Sequence, residues 1–180
     1  MKKVVVFDLD DTLVDTSHRK NILDKIDNIV VDEGLEEGSK EYKKAINEEK
    51  SKIWEEFSLA CDDDKPVKSM IEKLKSYRRK GYSIYAFSGR SSIAEEKTVD
   101  FFKKMNIEFD LLKMRRPEQK MPSHYLKNAW VKKYIIEKGD EMVNLFDDSE
   151  KVVDYLKEKG HTATLVDDAM RQERKRGVKP

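Results

Sequence analysis

Three aspartates follow a short apolar run near the start of the chain: Val4-Val5-Val6-Phe7 leads into Asp8-Leu9-Asp10-Asp11-Thr12. Alternate side chains of a strand share a face, so Asp8 and Asp10 project the same way from its carboxyl end. No basic residue neighbours them in sequence. Two carboxylates drawn out of water side by side are costly unless a cation joins them. Oxygen donors without His or Cys favour a hard ion such as Mg2+. A helix cap accounts for one acid, but not for three acids and a threonine.

Two further strand-like runs end in groups of the same kind. Tyr82 to Phe87 leads into Ser88-Gly89-Arg90. A hydroxyl, free backbone N–H groups and a guanidinium at a strand-to-helix turn form a phosphate cradle, although Ser-Gly is also an ordinary turn. Met142 to Phe146 leads into Asp147-Asp148. An N-cap at Asp148 or Ser149 needs one acid, not two. Lys127 falls near the expected start of a helix, where the dipole disfavours a cation. A bound phosphate would offset that cost.

These groups need a scaffold. Two weaker strand candidates, Phe109 to Met114 and Thr162 to Val166, join the three runs above. Between them lie helical patterns: Val67, Ile71, Leu74 and Tyr77, then Ile93 to Met105, Ser123 to Glu137 and Glu150 to Lys159. Nearly continuous apolar strands alternating with helices indicate a parallel sheet covered on both faces, an open, doubly wound, Rossmann-like α/β fold. Ligands of such sheets bind at the carboxyl ends of the strands, where all three groups fall.

Residues 16–64 carry no strand signal. Ile22, Ile26, Ile29 and Val30 make one helical stripe and Tyr42, Ile46, Ile53 and Phe57 a second, with Gly34 and Gly38 between. They read as a helical cap inserted after the first strand, leaving 1–15 and 65–168 as the catalytic core. A plain crossover needs one helix rather than three in a row. Residues 169–180 form a basic tail with Arg171, Arg174, Lys175, Arg176 and Lys179. It reads as a solvated terminus that could touch a polyanion.

Composition narrows the classes. Charged residues make up 41% of the 180, against a usual quarter. Yet 37 basic residues against 36 acidic leave a net charge of +1, so no whole-chain field points to a polyanion or a membrane. One cysteine, Cys61, excludes an internal disulfide and a multi-cysteine zinc site. The apolar run at the start stops after four residues, too short for a signal peptide, and no stretch approaches the ~20 apolar residues of a membrane span. The expectation is a soluble protein of the cytoplasm, the host's if the chain is phage-encoded. Its oligomeric state is left open.

In order and position, Asp8-Leu9-Asp10-Asp11-Thr12, Ser88, Lys127 and Asp147-Asp148 resemble the motifs of the haloacid dehalogenase superfamily of phosphoryl-transfer enzymes. Residues 80–90, 111–130 and 145–166 look like the 3′-phosphatase domain of phage-type polynucleotide kinase/phosphatases. That family has an Arg directly after Ser-Gly, matched by Arg90, and another twelve residues before the Lys, matched by Arg115 with Arg116 as the fallback. The chain lacks the family's kinase P-loop, and its insertion is longer than the family's. The resemblance implies roles. Asp8 is the nucleophile that forms an aspartyl-phosphate, and Asp10 the acid and base. Mg2+ is held by Asp8, the Asp10 carbonyl and Asp147, while Asp148 orients a metal-bound water or Lys127. Lys127, Ser88, Gly89, Arg90 and Arg115 surround the phosphate, with Thr12 near the Asp8 turn.

Some residues read two ways. His18 and His124 are helix-start or surface histidines, or acid/base groups or phosphate contacts. Trp54 and Phe57 bury against a neighbouring helix, or stack on a nucleobase. Lys113, Arg115, Arg116 and Lys120 make a local basic cluster that favours a polyanionic substrate. The expected activity is Mg2+-dependent removal of 3′-phosphates from nucleic-acid ends or nucleotides, as in end repair. The alternatives are a small-molecule phosphatase such as a 5′-nucleotidase, and an inactive nucleic-acid-binding module.

Overall fold

A computed structural model describes residues 1–31 and 34–172. The chain runs β1 (Lys3–Phe7), β2 (Val14–Asp15), α1 (Lys40–Leu59), β3 (Lys65–Pro66), α2 (Lys68–Arg79), β4 (Ser83–Ser91) and α3 (Glu95–Lys103). It continues β5 (Leu111–Arg115), α4 (Ser123–Tyr134), β6 (Glu141–Asp147), α5 (Glu150–Glu158), β7 (Ala163–Leu165) and α6 (Asp168–Gln172). Five strands form one parallel sheet in the order β5-β4-β1-β6-β7. All five apolar runs are in it, and the fold is the expected doubly wound α/β.

The central strand explains why its sequence is apolar without alternation. Val4 to Phe7 are fully buried because helices cover both faces. On one face, Val5, Phe7, Ile84 and Ala86 pack against Met70, Ile71 and Leu74 of α2 and Phe102 of α3. On the other, Val4, Val6, Tyr85 and Phe87 meet Leu126, Trp130 and Val131 of α4 and Val152, Val153 and Leu156 of α5. The strand order reverses at β1, whose neighbours are β4 and β6. A crevice opens at the carboxyl ends of strands at such a switch point.

The stretch between β2 and β3 differs in detail from its sequence reading. The two-residue strands pair antiparallel, Val14 with Pro66 and Asp15 with Lys65, so both ends of the excursion are tied together. Pairs that short leave no periodicity to read. Ser17–Asn28 is a 3₁₀ stretch rather than an α-helix, and its expected apolar stripe is not a core face: Val30 is 86% exposed, and the buried residue of Ser17–Asn28 is Arg19. The second stripe is as expected, for α1 buries Ile53 and Phe57 and is capped by Ser39, whose Oγ accepts the Tyr42 N–H at 3.0 Å. The basic tail begins in α6, and its residues beyond 172 lie outside the described ones. No helix among the described residues is long and apolar enough to cross a membrane.

Leu9 anchors the first acidic turn. Its side chain is fully buried among α2 and β1 residues, while its carbonyl accepts N–H groups from Thr12, Leu13 and Val14 at 3.2, 2.8 and 3.0 Å. Leu9→Ala should cost about 2–5 kcal/mol in urea unfolding. A loss under about 1 kcal/mol would show that this side chain does not hold the turn.

Candidate active site

Asp8 leaves β1 with its N–H still donating to the Phe146 carbonyl at 2.9 Å, so the β1–β6 pairing delivers it beside Asp147 at the end of β6. Lys127, in the second turn of α4, reaches between them. Its Nζ lies 2.6 Å from Asp147 Oδ2 and 2.9 Å from Asp8 Oδ1, and all three residues are buried. Asp147 Oδ1 also accepts the Ser149 N–H at 3.0 Å. Burial pushes the Asp8 carboxyl well above its ordinary range, with Lys127 opposing and Asp147 and Asp148 reinforcing. Burial alone would discharge Lys127, but Asp147 and Asp8 outweigh it and hold the ammonium above the usual lysine range.

Carboxylate oxygens of Asp8, Asp147 and Asp148 lie within 4.8 Å of one another. Asp8 Oδ1 is buried and has no hydrogen-bond donor aligned on it. Burial and the nearby Asp147 push Asp148 up to about 6. An all-oxygen cluster of two buried carboxylates with a third beside them, facing a single ammonium, fits a hard divalent cation.

Asp10 belongs to a different cluster, which corrects the expectation of one uncompensated pair. Arg19 Nη2 lies 2.8 Å from Asp10 Oδ1, and Arg90 bonds the same oxygen through Nη2 and through Nε at 3.1 Å. Both guanidiniums also grip Asp64: Arg19 Nε at 2.8 Å and Nη2 at 2.9 Å, Arg90 Nη2 at 2.5 Å. Two cations thus balance two anions in a buried square. Burial opposes the charge on Asp10, yet Arg90 and Arg19 win and hold its carboxyl below the ordinary range. The Asp10 side chain is therefore not among the clustered cation donors. Asp11 has its own partners, Thr16 Oγ1 at 2.9 Å and Lys20 Nζ at 2.9 Å, and turns the chain with φ +54°.

The Ser88-Gly89-Arg90 group is not a strand-to-helix turn. The strand continues to Ser91, and its register against β5 shifts between Ser88 and Ser91, leaving Gly89 and Arg90 as a bulge. Ser88 Oγ accepts the Arg90 N–H at 3.1 Å, which sets the bulge. The bulge aims Arg90 at Asp10, Asp64 and Thr98, so its guanidinium is engaged by the protein. A Cβ on Gly89 would stand 3.2 Å from Ser123 Oγ, so glycine lets α4 begin close to β4. Arg115 is likewise spent on the protein, donating to the carbonyls of Gly89, Gln119 and Met121 and to Ser123 Oγ at 3.3, 2.9, 2.6 and 2.9 Å. It shapes the 116–123 loop. Thr12 is fully buried, and its Oγ1 has no partner among the described residues.

Arg19 and Asp64 are site residues that sequence reasoning missed. Arg19 lies in a polar stretch and Asp64 closes an acidic run, Asp62-Asp63-Asp64, so both look like solvated surface. The sole signal was the unbalanced charge of Asp10. His18 borders the Asp10 cluster, its Nε2 3.2 Å from the Ala60 carbonyl and 3.8 Å from Asp64 Oδ1, while His124 packs between Tyr125 and Tyr155.

Above the acids opens a cavity of about 1350 Å³, walled by α1 on one side and the 116–123 loop on the other. Asp8, Asp147 and Lys127 meet at adjoining strand and helix ends, and a family model that matches most of the chain makes it a phosphatase of the haloacid dehalogenase superfamily. More narrowly, the chain belongs to the polynucleotide kinase PNKP phosphatase domain family, whose model matches residues 56–169. The matched segment holds Ser88, Lys127, Asp147 and Asp148, while Asp8 and Asp10 precede it.

Solved structures share the fold. A chain of the Pnkp1/Rnl/Hen1 complex superposes with a TM-score of 0.65 at 22% identity, over 92% of this chain and 46% of that one. The present chain thus spans under half the length of that relative. A haloacid dehalogenase-like family protein, SP0104 from Streptococcus pneumoniae, gives 0.63 at 15% identity over 96% and 90% of the two chains. A HAD-superfamily hydrolase from Ehrlichia chaffeensis gives 0.53 at 16% over 96% and 97%. No curated protein matches the sequence.

The raised pKa of Asp148 has a sign that can be tested. Its folded-state value, about 6, lies above the unfolded value of 3.8, so the neutral acid is favoured in the fold and stability falls as pH rises through about 6. In metal-free protein, Asp148→Asn should therefore stabilise at about pH 8 by on the order of 2 kcal/mol, or roughly 4–8 °C in Tm. The gain should fade below about pH 4. An equal gain at both pH values, or none, would contradict the charge argument.

Proposed function

We propose that this chain is a Mg2+-dependent polynucleotide 3′-phosphatase working through an aspartyl-phosphate on Asp8, with residues 16–64 as a helical cap over a core of 1–15 and 65–168. The observation that carries the reading is Lys127 set between Asp8 and Asp147 at the floor of a large cavity rimmed by Lys40, Lys43, Lys44, Lys50, Arg116 and Lys120.

Asp8 attacks phosphorus in line, and the bond to the leaving 3′ oxygen breaks as the new one forms. At about 4 Å and an effective dielectric near 20, a carboxylate and a phosphate charge repel by ~4 kcal/mol. Uncompensated, that would slow attack by roughly three powers of ten. Lys127 opposes it with a full charge beside the nucleophile. A Mg2+ ion held by Asp8, Asp147 and Asp148 would supply further charge compensation. The acid-base work falls to Asp10, which gives the leaving oxygen a proton and then takes one from the water that hydrolyses the acyl phosphate. Arg19 and Arg90 fix its carboxyl in place. Ser88 and Gly89 sit beside the floor, where backbone donors meet the phosphate, and Thr12 supports the Asp8 turn.

Cavity size supports a polymer end over a small metabolite. Sites for small ligands span about 300–1,000 Å³, and this one, at about 1350 Å³, is larger. A solved Pnkp1/Rnl/Hen1 assembly is an RNA repair complex, which accords with a nucleic-acid end.

Phosphate release from matched 3′- and 5′-phosphorylated DNA and RNA oligonucleotides tests the reading. Release should occur from the 3′ ends, need Mg2+ and stop with EDTA. Turnover confined to mononucleotides or sugar phosphates would favour the small-molecule alternative. Because the arginines hold Asp10 ionised, its proton-donating form is the minor one near neutrality. With a 3′-phosphorylated oligonucleotide, kcat/KM should decline with rising pH, by up to about tenfold per unit. With an aryl phosphate, whose leaving group needs no proton, the decline should vanish; parallel profiles would remove Asp10 from the acid's role.

A further inference from the structure

Trp54 leaves half of a large aromatic surface uncovered at the cavity. It is 50% exposed, lines the cavity, and is held edge-on against Phe57 with ring centroids 5.7 Å apart and planes at 81°. Arg19 stacks 4.1 Å from the Phe57 ring, so the indole is fixed relative to the Asp10 cluster. The Trp54 backbone is tied down as well. Its carbonyl accepts Ser58 Oγ at 2.8 Å, and that hydroxyl accepts the Ser91 N–H of β4 at 3.1 Å. One edge of the ring is anchored, and an apolar surface faces the site.

From Trp54 outward, α1 presents Lys50, Asn47 and Lys43 at spacings of 4, 3 and 4, one helical face, and all three line the cavity. Lys44 lies beside them, 3.9 Å from Glu48. Glu48 and Glu55 are the acids that α1 adds to the lining. On the facing wall, Lys120 donates to Ser51 Oγ at 3.0 Å and spans the cavity to α1. The chain as a whole is close to neutral, so this row of cations is local.

We propose that this face of α1 is a track for a single-stranded 3′ terminus, resting on the 3′-phosphatase reading. The terminal nucleobase stacks on Trp54 and the upstream phosphodiesters lie along Lys50, Lys43 and Lys44, with Lys120 opposite. Eleven residues at about 1.5 Å each separate Trp54 from Lys43 by ~16 Å. At about 3.4 Å per stacked nucleotide, that holds roughly five. An exposed aromatic ring followed by spaced cations recognises a strand without reading its sequence.

Tryptophan emission tests this directly, because Trp130, the other tryptophan, is buried. The probe is oligothymidylate with a 3′-hydroxyl, the product of the proposed reaction, titrated into the wild-type chain. Binding should quench the emission, and a blunt duplex of equal length should bind at least tenfold more weakly. Trp54→Leu, which keeps an apolar edge against Phe57, should weaken binding at least fivefold. Lys43→Gln with Lys44→Gln should reduce the slope of log Kd against log salt by about 1.4. Binding without quenching, equal affinity for duplex, or an unchanged salt slope would each overturn the track. If those failures came with active 3′-phosphate release, the phosphatase reading would stand alone. Binding as described without 3′-phosphate release would keep the track and overturn that reading.

Discussion

Four carboxylates converge at the carboxyl edge of this sheet, and their neutralisation shapes the rest of the structure. Asp8 and Asp147 share Lys127, while Asp10 and Asp64 share Arg19 and Arg90. Removing one partner from such a buried group leaves an uncompensated charge, typically a loss of 3–5 kcal/mol. The two groups differ in what they leave unsatisfied. Asp10 and Asp64 are closed by guanidiniums in a balanced square. Around Asp8, one ammonium faces two buried carboxylates with a third beside them. That imbalance is where the proposed mechanism sets an added cation and the phosphate.

The same charges bind the helical excursion to the sheet. Arg19 comes from the 3₁₀ stretch, yet its guanidinium completes the cluster of Asp10, and it also donates to the Phe57 carbonyl of α1 at 2.7 Å. Ser58 of α1 bonds the end of β4. Swinging the excursion away would break buried ion pairs, so motion at its base is opposed by the site's own electrostatics. Lys40 and Lys43, farther along α1, line the cavity instead.

What could be read from the sequence follows from the range of the forces involved. Strand tips were legible because burial on both faces forces an unbroken apolar run, and the polar residue that ends it lands on the sheet edge. Asp8 and Asp147 were placed in this way, whereas β4 runs on past Ser88 to Ser91. Arg19 and Asp64 were not, because their burial comes from a partner 45 residues away in sequence, and nothing local distinguishes them from surface residues. The inward turn of Arg90 depends on a bulge that appears only against β5, and the clamp made by Arg115 depends on loop carbonyls with no sequence signature. Chemistry at strand ends is local information; ion pairing across an insertion is not.

The central claim is that Asp8, poised beside Lys127, becomes covalently phosphorylated. Rapid acid quench during turnover of a 3′-phosphorylated oligonucleotide, followed by peptide mass mapping, addresses it without reference to rates. The account predicts one added phosphoryl group on the peptide that carries Asp8, lost on alkaline treatment as an acyl phosphate should be. Phosphate found on another residue, or full turnover by an Asp8→Asn variant that never carries the label, would contradict it.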